Sequence, residues 1–275
     1  MTPEQASLGS VRRCAVLGSP IQHSLSPALH RAAYAHLGLD WTYDRVEVDE
    51  RGLAAFVRGL DASWRGLSLT MPLKVAVLEL GDVDQLASLA GAGNTLIVEG
   101  GSRTVHNTDV GGLRWAVGEV TTSPLTRVTI LGAGATASAA LIAASQLGAQ
   151  QVTIVVRTPA RAEPLRPLAV QLGVELDIRP WWARLPDADL AVSTVVSGAA
   201  DTIAPSVVDT VPVIVDVIYD PWPTVLATTA EGAGCTVING RDLLVGQALL
   251  QIELMTGHAV PAEVLYAALP AELSA

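Results

Sequence analysis

The sequence predicts an α/β protein of two domains, the second a doubly wound parallel sheet. Four observations carry that prediction. The chain has 275 residues, enough for two compact cores. Half of it is hydrophobic and only 16% charged, which excludes intrinsic disorder. With six Trp, four Tyr and one Phe, the core must be built mainly from Ala, Val, Leu and Ile, which suits strands packed under helices. Finally, from about residue 127 to 238, β-branched runs alternate regularly with segments of helical pattern.

The first hundred residues mix strands and helices. Residues 14–18 (CAVLG) read as a short apolar strand. A helix should begin at Ser26 and Pro27, with the serine as N-cap and the proline in the first turn. Leu29, Ala32, Ala33 and Leu37 share one face of it, and Gly38 can end it. Residues 43–48 (YDRVEV) form a second strand, and Asp49 can cap a helix carrying Leu53, Phe56, Val57 and Leu60. Residues 66–70 (GLSLT) are a third strand, stopped by Pro72. Residues 94–107 read as a hairpin around Gly100 and Gly101.

In the second half, strands are expected at 128–131, 151–156, 174–178, 189–193, 213–217 and 235–238. After Gly240 a helix should place Leu243, Leu244, Ala248 and residues 250–254 on an apolar side, and Pro261 precedes a final helix. Trp181, Trp182 and Trp222 are expected to seal loops against the sheet.

Residues 128–156 contain no Asp, Glu, Lys or Arg, a stretch longer than the roughly 20 residues that cross a bilayer. A Gly-rich turn interrupts it near the start and Gly148, Gln150 and Gln151 near the other end, so it reads as strand, Ala-rich helix, strand, with both strands apolar on both faces. No membrane partner is expected. The first thirteen residues lack the apolar run of a signal peptide. Cys14 and Cys235 have no metal-ligand spacing and read as buried free thiols. A cytoplasmic protein is the expectation. Its net charge of −10 argues against a nucleic-acid partner.

Gly132, Ala133, Gly134, Ala135, Thr136 and Ala137 follow a predicted strand and open a predicted helix, in the pattern G-x-G-x-x-G/A. Gly132 permits the tight turn, Gly134 lets the backbone approach a pyrophosphate, and Ala137 allows close helix–sheet packing. The next strand ends in Arg157, Thr158 and Arg161, with no acid before Glu163. An NAD site wants a carboxylate there for the ribose 2′-hydroxyl, whereas two guanidinium groups and a hydroxyl suit the 2′-phosphate of NADP.

Three other segments concentrate polar residues where strands end. Ser24 and Ser26 stand at the mouth of a helix, a place for a small carboxylate, although simple N-capping explains Ser26 equally well. Lys74, just after a strand and Pro72, suits proton transfer, although most such lysines are solvated. Asn94 and Asp109 belong to two Asn-Thr segments, and Asp109 either caps a helix or pairs with a lysine and orients a substrate hydroxyl. The five histidines show no metal-ligand spacing, and no metal is expected; His23 is read as a structural hydrogen-bond donor.

The order and spacing of GSPIQHSLSPALH, SLTMPLK, AGAGNTL, HNTDVGG, GAGAT, RTPAR, DVIYDP and NGRDLLVGQALLQIELMTG resemble the shikimate dehydrogenase family over residues 14–257. The resemblance implies a substrate-binding domain over 1–112, a Rossmann-type NADP-binding domain over 113–240, and C-terminal helices (241–275) returning to the first domain. A cleft between them would hold Lys74 and Asp109. It implies that Ser24 and Ser26 hold a substrate carboxylate and that Lys74 is the catalytic acid/base, partnered by Asp109. Asn94 and Asp109 would bind ring hydroxyls. Thr70, Tyr219 and Gln247 match further substrate contacts. Gly132 to Thr136, Arg157, Thr158 and Arg161 would hold NADP, with Val217 and Gly240 where the chain passes the nicotinamide. The implied reaction is reversible reduction of 3-dehydroshikimate to shikimate with NADPH, by a monomer or homodimer acting on small molecules.

Five segments depart from the family pattern. The Asn of its G-x-N-V-T segment is Ser68 here, and the third Gly of its GAGGA turn is Ala135. The Asn before the Arg-Thr pair is Val156, the Asn-Ala-Thr segment reads Ser193, Thr194 and Val195, and His106 replaces a common Gly. Two rival readings are a paralogue acting on quinate, aminoshikimate or another hydroxy acid, and a ligand-sensing protein that keeps the fold without turnover.

Overall fold

The computed structural model describes residues 11–270. The N-terminal segment read above for a leader lies partly outside the described residues. The chain divides into two compact units, one comprising Met1–Thr108 with Val245–Ala275 and the other Asp109–Leu244.

The first unit is built on a six-stranded sheet of β1 (Arg13–Gly18), β2 (Thr42–Glu47), β3 (Trp64–Leu69), β4 (Asp82–Val83), β5 (Thr95–Glu99) and β6 (Ser102–His106), in the order β2-β1-β3-β5-β6-β4. β2, β1 and β3 run parallel, β5 joins β3 antiparallel, and β5 and β6 form the expected hairpin. Side chains alternate across β1 as a pleated strand requires. Ala15 and Leu17 enter one apolar cluster with Leu53, Val57 and Leu67, while Cys14 and Val16 enter another with Tyr34, Tyr43 and Met255. The sheet is therefore covered on both faces. Burial pushes the Cys14 thiol up to about 11, so it behaves as an inert apolar side chain.

Helix α1 (Ser26–His36) begins one residue earlier than expected. Leu25 is the N-cap and no side chain caps the helix; Ser26 is already its first helical residue. Ser24 supplies the nearest hydroxyl, accepting from the Ser26 N–H at 3.4 Å. Helix α2 (Glu50–Arg58) is capped as expected, the Asp49 carboxylate accepting from the Gly52 N–H at 2.8 Å. β4 and the short helix α3 (Gln85–Ala90) are too brief to leave a periodic signal.

The second unit holds α4 (Asp109–Gly118), β7 (Arg127–Leu131), α5 (Ala135–Gln146), β8 (Gln151–Val156), α6 (Arg166–Leu172), β9 (Glu175–Pro180), β10 (Leu190–Ser193), α7 (Ala204–Val208), β11 (Val213–Asp216), α8 (Val225–Gly232) and β12 (Thr236–Ile238). Its sheet runs β12-β11-β10-β7-β8-β9 with every pair parallel. Counted within the unit, that is the 3-2-1-4-5-6 order of a Rossmann fold, with its topological switch point between β7 and β10.

The uncharged stretch resolves into β7, a turn, α5 and β8. Ala137 and residues 139–144 of α5 are all buried, which explains an Ala-rich helix without a charged face. No helix among the described residues is long and apolar enough to cross a membrane.

Helix α9 (Gly240–Thr256) starts in the second unit and continues in the first, followed by α10 (Ala262–Tyr266). Its buried stripe is Val245, Ala248, Gln251, Ile252 and Met255, at helical spacing, rather than the leucine-rich side expected. Leu250 and Leu254 are only half-buried. Two further expectations are corrected. Trp181 packs against the core, but Trp182, beside it in the turn that follows β9 and is closed by the Ala183 N–H donating to Pro180, points outward at 79% exposure. His23 is exposed on its loop, and the buried histidine is His30, one turn into α1.

Candidate active site

In the first unit, strand direction gathers the candidate residues at one rim. β1 and β3 are parallel, so their carboxyl ends, Gly18 and Leu69, lie side by side. β5 is antiparallel to β3, and its amino end, Thr95, pairs with Ser68. Ser24 and Ser26, Thr70 and Lys74, and Asn94 therefore leave the same edge of the sheet from three loops. Backbone hydrogen bonds lock those loops together. The Thr70 N–H donates to Leu17 at 2.9 Å and the Ser19 N–H to Met71 at 3.1 Å. The Leu69 N–H donates to Asn94 at 2.8 Å, and the Gly93 N–H to Lys74 at 2.7 Å. Gly18 is required at this crossing, because a Cβ there would stand 2.5 Å from Thr70 Cγ2.

The side chains at the rim differ in exposure. Ser24, Thr70 and Lys74 are half-buried, whereas Ser26 and Asn94 are buried; Gln247, on α9, is buried too. The Ser24 and Ser26 hydroxyls are 3.3 Å apart. Asn94 is fixed in one orientation, since its Oδ1 accepts the Thr108 N–H at 2.8 Å and its Nδ2 donates to Thr108 Oγ1 at 2.9 Å. His106 earns its place beside this segment structurally: its Nδ1 is 2.8 Å from Asp84, the residue that caps α3.

In the second unit, a cavity of about 650 Å³ opens at the switch point, just beyond the carboxyl ends of β7 and β10. Gly132, Ala133 and Gly134 form one side, and Arg157, Thr158 and Arg161 another. Gly132 has φ +110°, and a Cβ on it would lie 2.5 Å from Thr194 Oγ1. That hydroxyl donates to the Leu131 carbonyl at 2.8 Å, so the turn and the end of β10 are pinned together. Gly134 is the N-cap of α5, and a Cβ on it would point into open space. Ala135 and Thr136 begin the helix and are half-buried.

This donor set fits a dinucleotide phosphate. The helix N-terminus offers backbone N–H groups to a pyrophosphate. Arg157 and Arg161 are exposed, and neither is paired with a carboxylate among the described residues. In a chain with a surplus of acids, two unpaired guanidinium groups beside one cavity favour a phosphate ligand. Thr194, Val195, Val196, Ala199 and Trp181 also line the cavity, and sequence reasoning did not place them there. The signal existed for Thr194 and Val195, which directly follow the strand expected at 189–193.

The remaining candidates cluster after β11. Asp216 is buried, and that burial raises its carboxyl above the ordinary value. It accepts from Thr224 Oγ1 at 2.6 Å and from the Ile218 N–H at 3.3 Å, which shapes the loop bearing Val217 and Tyr219. The Val217 N–H donates to Ser193 at 3.1 Å, and the Gly240 N–H to Ile218 at 3.2 Å. Gly240 packs so closely on the Val217 carbonyl that any side chain would collide with it. Asp109, the first residue of α4, is 8% exposed.

Comparison with known proteins agrees with this geometry. Residues 16–96 match the model of the shikimate dehydrogenase substrate binding domain, and residues 240–269 that of the shikimate 5′-dehydrogenase C-terminal domain. The chain is similar to the shikimate dehydrogenase (NADP(+)) of Methanothermobacter thermautotrophicus, 34% identical over 273 residues, covering 95% of this chain and 96% of that protein. Among solved structures, Mycobacterium tuberculosis shikimate dehydrogenase superposes with a TM-score of 0.87 at 38% identity, covering 94% of this chain and 98% of the other. The Thermus thermophilus shikimate 5-dehydrogenase in complex with NADP(H) and shikimate gives 0.82 at 32% identity, covering 94% and 98%.

Proposed function

We propose that this chain, which belongs to the shikimate dehydrogenase family, reversibly reduces 3-dehydroshikimate to shikimate with NADPH. The first unit is the substrate-binding half and the second the cofactor-binding half. The observation that carries the reading is the gathering of Ser24, Ser26, Thr70, Lys74 and Asn94 at one rim of the first sheet, on loops locked to one another. Hydroxyl donors suit a carboxylate, an oriented amide suits ring hydroxyls, and a half-buried amine suits proton exchange.

When bound, NADP(H) supplies or accepts the hydride. The chain's own residues orient the ring and manage one proton. Ser24 and Ser26 hold the carboxylate, with Tyr219 and Gln247 as further contacts. Asn94 and Asp109 hold the ring hydroxyls, with Thr70 as a further contact. In the reductive direction the Lys74 ammonium gives a proton to the oxygen at C3; in oxidation the Lys74 amine takes that proton back, with Asp109 as its carboxylate partner. Help of this kind contributes about 10²–10⁴-fold to the rate. Gly132, Ala133, Gly134, Ala135 and Thr136 receive the pyrophosphate, Arg157, Thr158 and Arg161 the 2′-phosphate, and Val217 and Gly240 flank the nicotinamide. The reading places the protein in the cytoplasm, with a monomer or homodimer as the working assembly.

The test is consumption of NADPH by purified protein given 3-dehydroshikimate, with the product identified as shikimate by mass and co-chromatography. NADPH turnover that yields no shikimate refutes the assignment.

A further inference from the structure

Beneath the rim of the first sheet lies a dry chain of hydrogen bonds that none of the proposed contacts accounts for. Its centre is Gln251 on α9, 1% exposed. The Asn94 carbonyl can only accept, so the amide nitrogen of Gln251 must face it, at 3.2 Å; the same nitrogen donates to Thr95 Oγ1 at 3.0 Å. Thr95 Oγ1 in turn donates to Asn94 Oδ1 at 3.0 Å. Gln251 Oε1 therefore faces the other way, accepting from Ser68 Oγ at 2.7 Å and lying 3.3 Å from His30 Nε2. His30 is wholly buried, and burial pushes its pKa down to about 3, so the ring is neutral; Gln251 Oε1 can only accept, which puts the ring proton on the Nε2 that faces it. Its plane stacks on Tyr43 at 4.0 Å between centroids. Tyr43 completes the chain, its hydroxyl donating to Ser68 Oγ at 2.6 Å.

Every donor in this chain meets an acceptor, and the polarity is single-valued. One end terminates on Asn94, the buried side chain proposed to hold ring hydroxyls, and the other on Tyr43. The family pattern places an Asn amide at position 68, where this chain has a serine hydroxyl. We propose that Gln251 is a positioning residue of the substrate site, supplying from α9 the amide that the family motif carries on β3, and orienting Asn94 directly and through Thr95. The proposal rests on the functional reading above.

The test uses isothermal titration of the cofactor-free full chain with shikimate and, separately, with NADP+. Gln251→Met keeps the length of the side chain and removes both polar ends. It is expected to weaken shikimate binding by roughly tenfold, the equivalent of ~1.4 kcal/mol, while NADP+ binding stays within about twofold, well under that equivalent. The double variant Ser68→Asn/Gln251→Ala returns the amide to β3 and is expected to recover most of the loss. Unchanged shikimate affinity in Gln251→Met overturns the proposal, as does a parallel loss for both ligands. Should Gln251→Met not fold, the double variant decides: a folded double variant that binds shikimate at least about tenfold more weakly than the unaltered chain overturns it. Failure of the unaltered chain to bind shikimate at all overturns the functional reading itself, and this proposal with it.

Discussion

The two glycines of the turn between β7 and α5, Gly132 and Gly134, should fail in different ways when given a methyl group. At Gly132 the backbone has φ +110°, a region that L-residues enter only with strain. The new Cβ would stand 2.5 Å from Thr194 Oγ1 and 3.2 Å from Val195 Cγ1. Relief requires Thr194 to move, which breaks its 2.8 Å bond to the Leu131 carbonyl. Backbone strain and the lost bond together cost about 2–4 kcal/mol, which lowers the melting temperature by roughly 5–15 °C. At Gly134 the φ is −93° and nothing lies within 4 Å of the new methyl. Gly134→Ala should therefore melt close to the unaltered chain. Its methyl instead enters the space through which a pyrophosphate reaches the helix N-terminus, so NADP+ affinity should fall by about tenfold or more. Differential scanning calorimetry and NADP+ titration of both variants separate the two effects. The reasoning is refuted by Gly134→Ala binding NADP+ normally, or by Gly132→Ala melting with the unaltered chain.

Other expectations follow from the same geometry. Arg157→Ala should raise KM for NADP+ by about tenfold, the value of a lost charge-assisted contact, with little change for NAD+; equal changes for both contradict a 2′-phosphate clamp. Lys74→Ala should lower kcat by about 10²–10⁴-fold with shikimate Kd much less affected, and an unchanged kcat removes the lysine from proton transfer. Stability should also depend on acid. His30 stays neutral in the folded chain down to about pH 3, whereas the unfolded chain takes up its proton below 6.5. Stability from this group is thus complete above pH 6.5 and declines as pH falls, by about 2 kcal/mol between 6.5 and 5. The raised carboxyl of Asp216 acts in the opposite sense, its contribution declining as pH rises from the ordinary value of 3.8. Urea unfolding across this range should show the loss, and an acid slope that persists undiminished in His30→Gln contradicts the assignment.

The second unit was far more legible in the sequence than the network under the first. Its strands are uninterrupted apolar runs separated by helices, and the phosphate turn is contiguous, so periodicity and local spacing place Gly132, Gly134 and Arg157 without tertiary information. The rim of the first sheet comes from loops far apart in sequence, and each of Ser26, Lys74 and Asn94 has a bland local explanation. Only their joint order singled them out. His30 and Gln251 carried no signal, because a histidine and a glutamine inside helices read as solvated until the fold shows them buried and 3.3 Å apart. Ser26 was mistaken for a cap because serine before Pro27 is a good capping pattern, yet the chain enters the helix through Leu25. Trp182 was misplaced because adjacent aromatics share composition but not direction.

The central claim is most directly tested by kcat/KM for the purified chain with shikimate or quinate, each with NADP+ or NAD+. The pair of shikimate and NADP+ should exceed every other combination, with both the ring and the 2′-phosphate contributing to the preference. Negligible oxidation of shikimate with either cofactor contradicts the account, and a preference for quinate moves the chain to another substrate of the same fold.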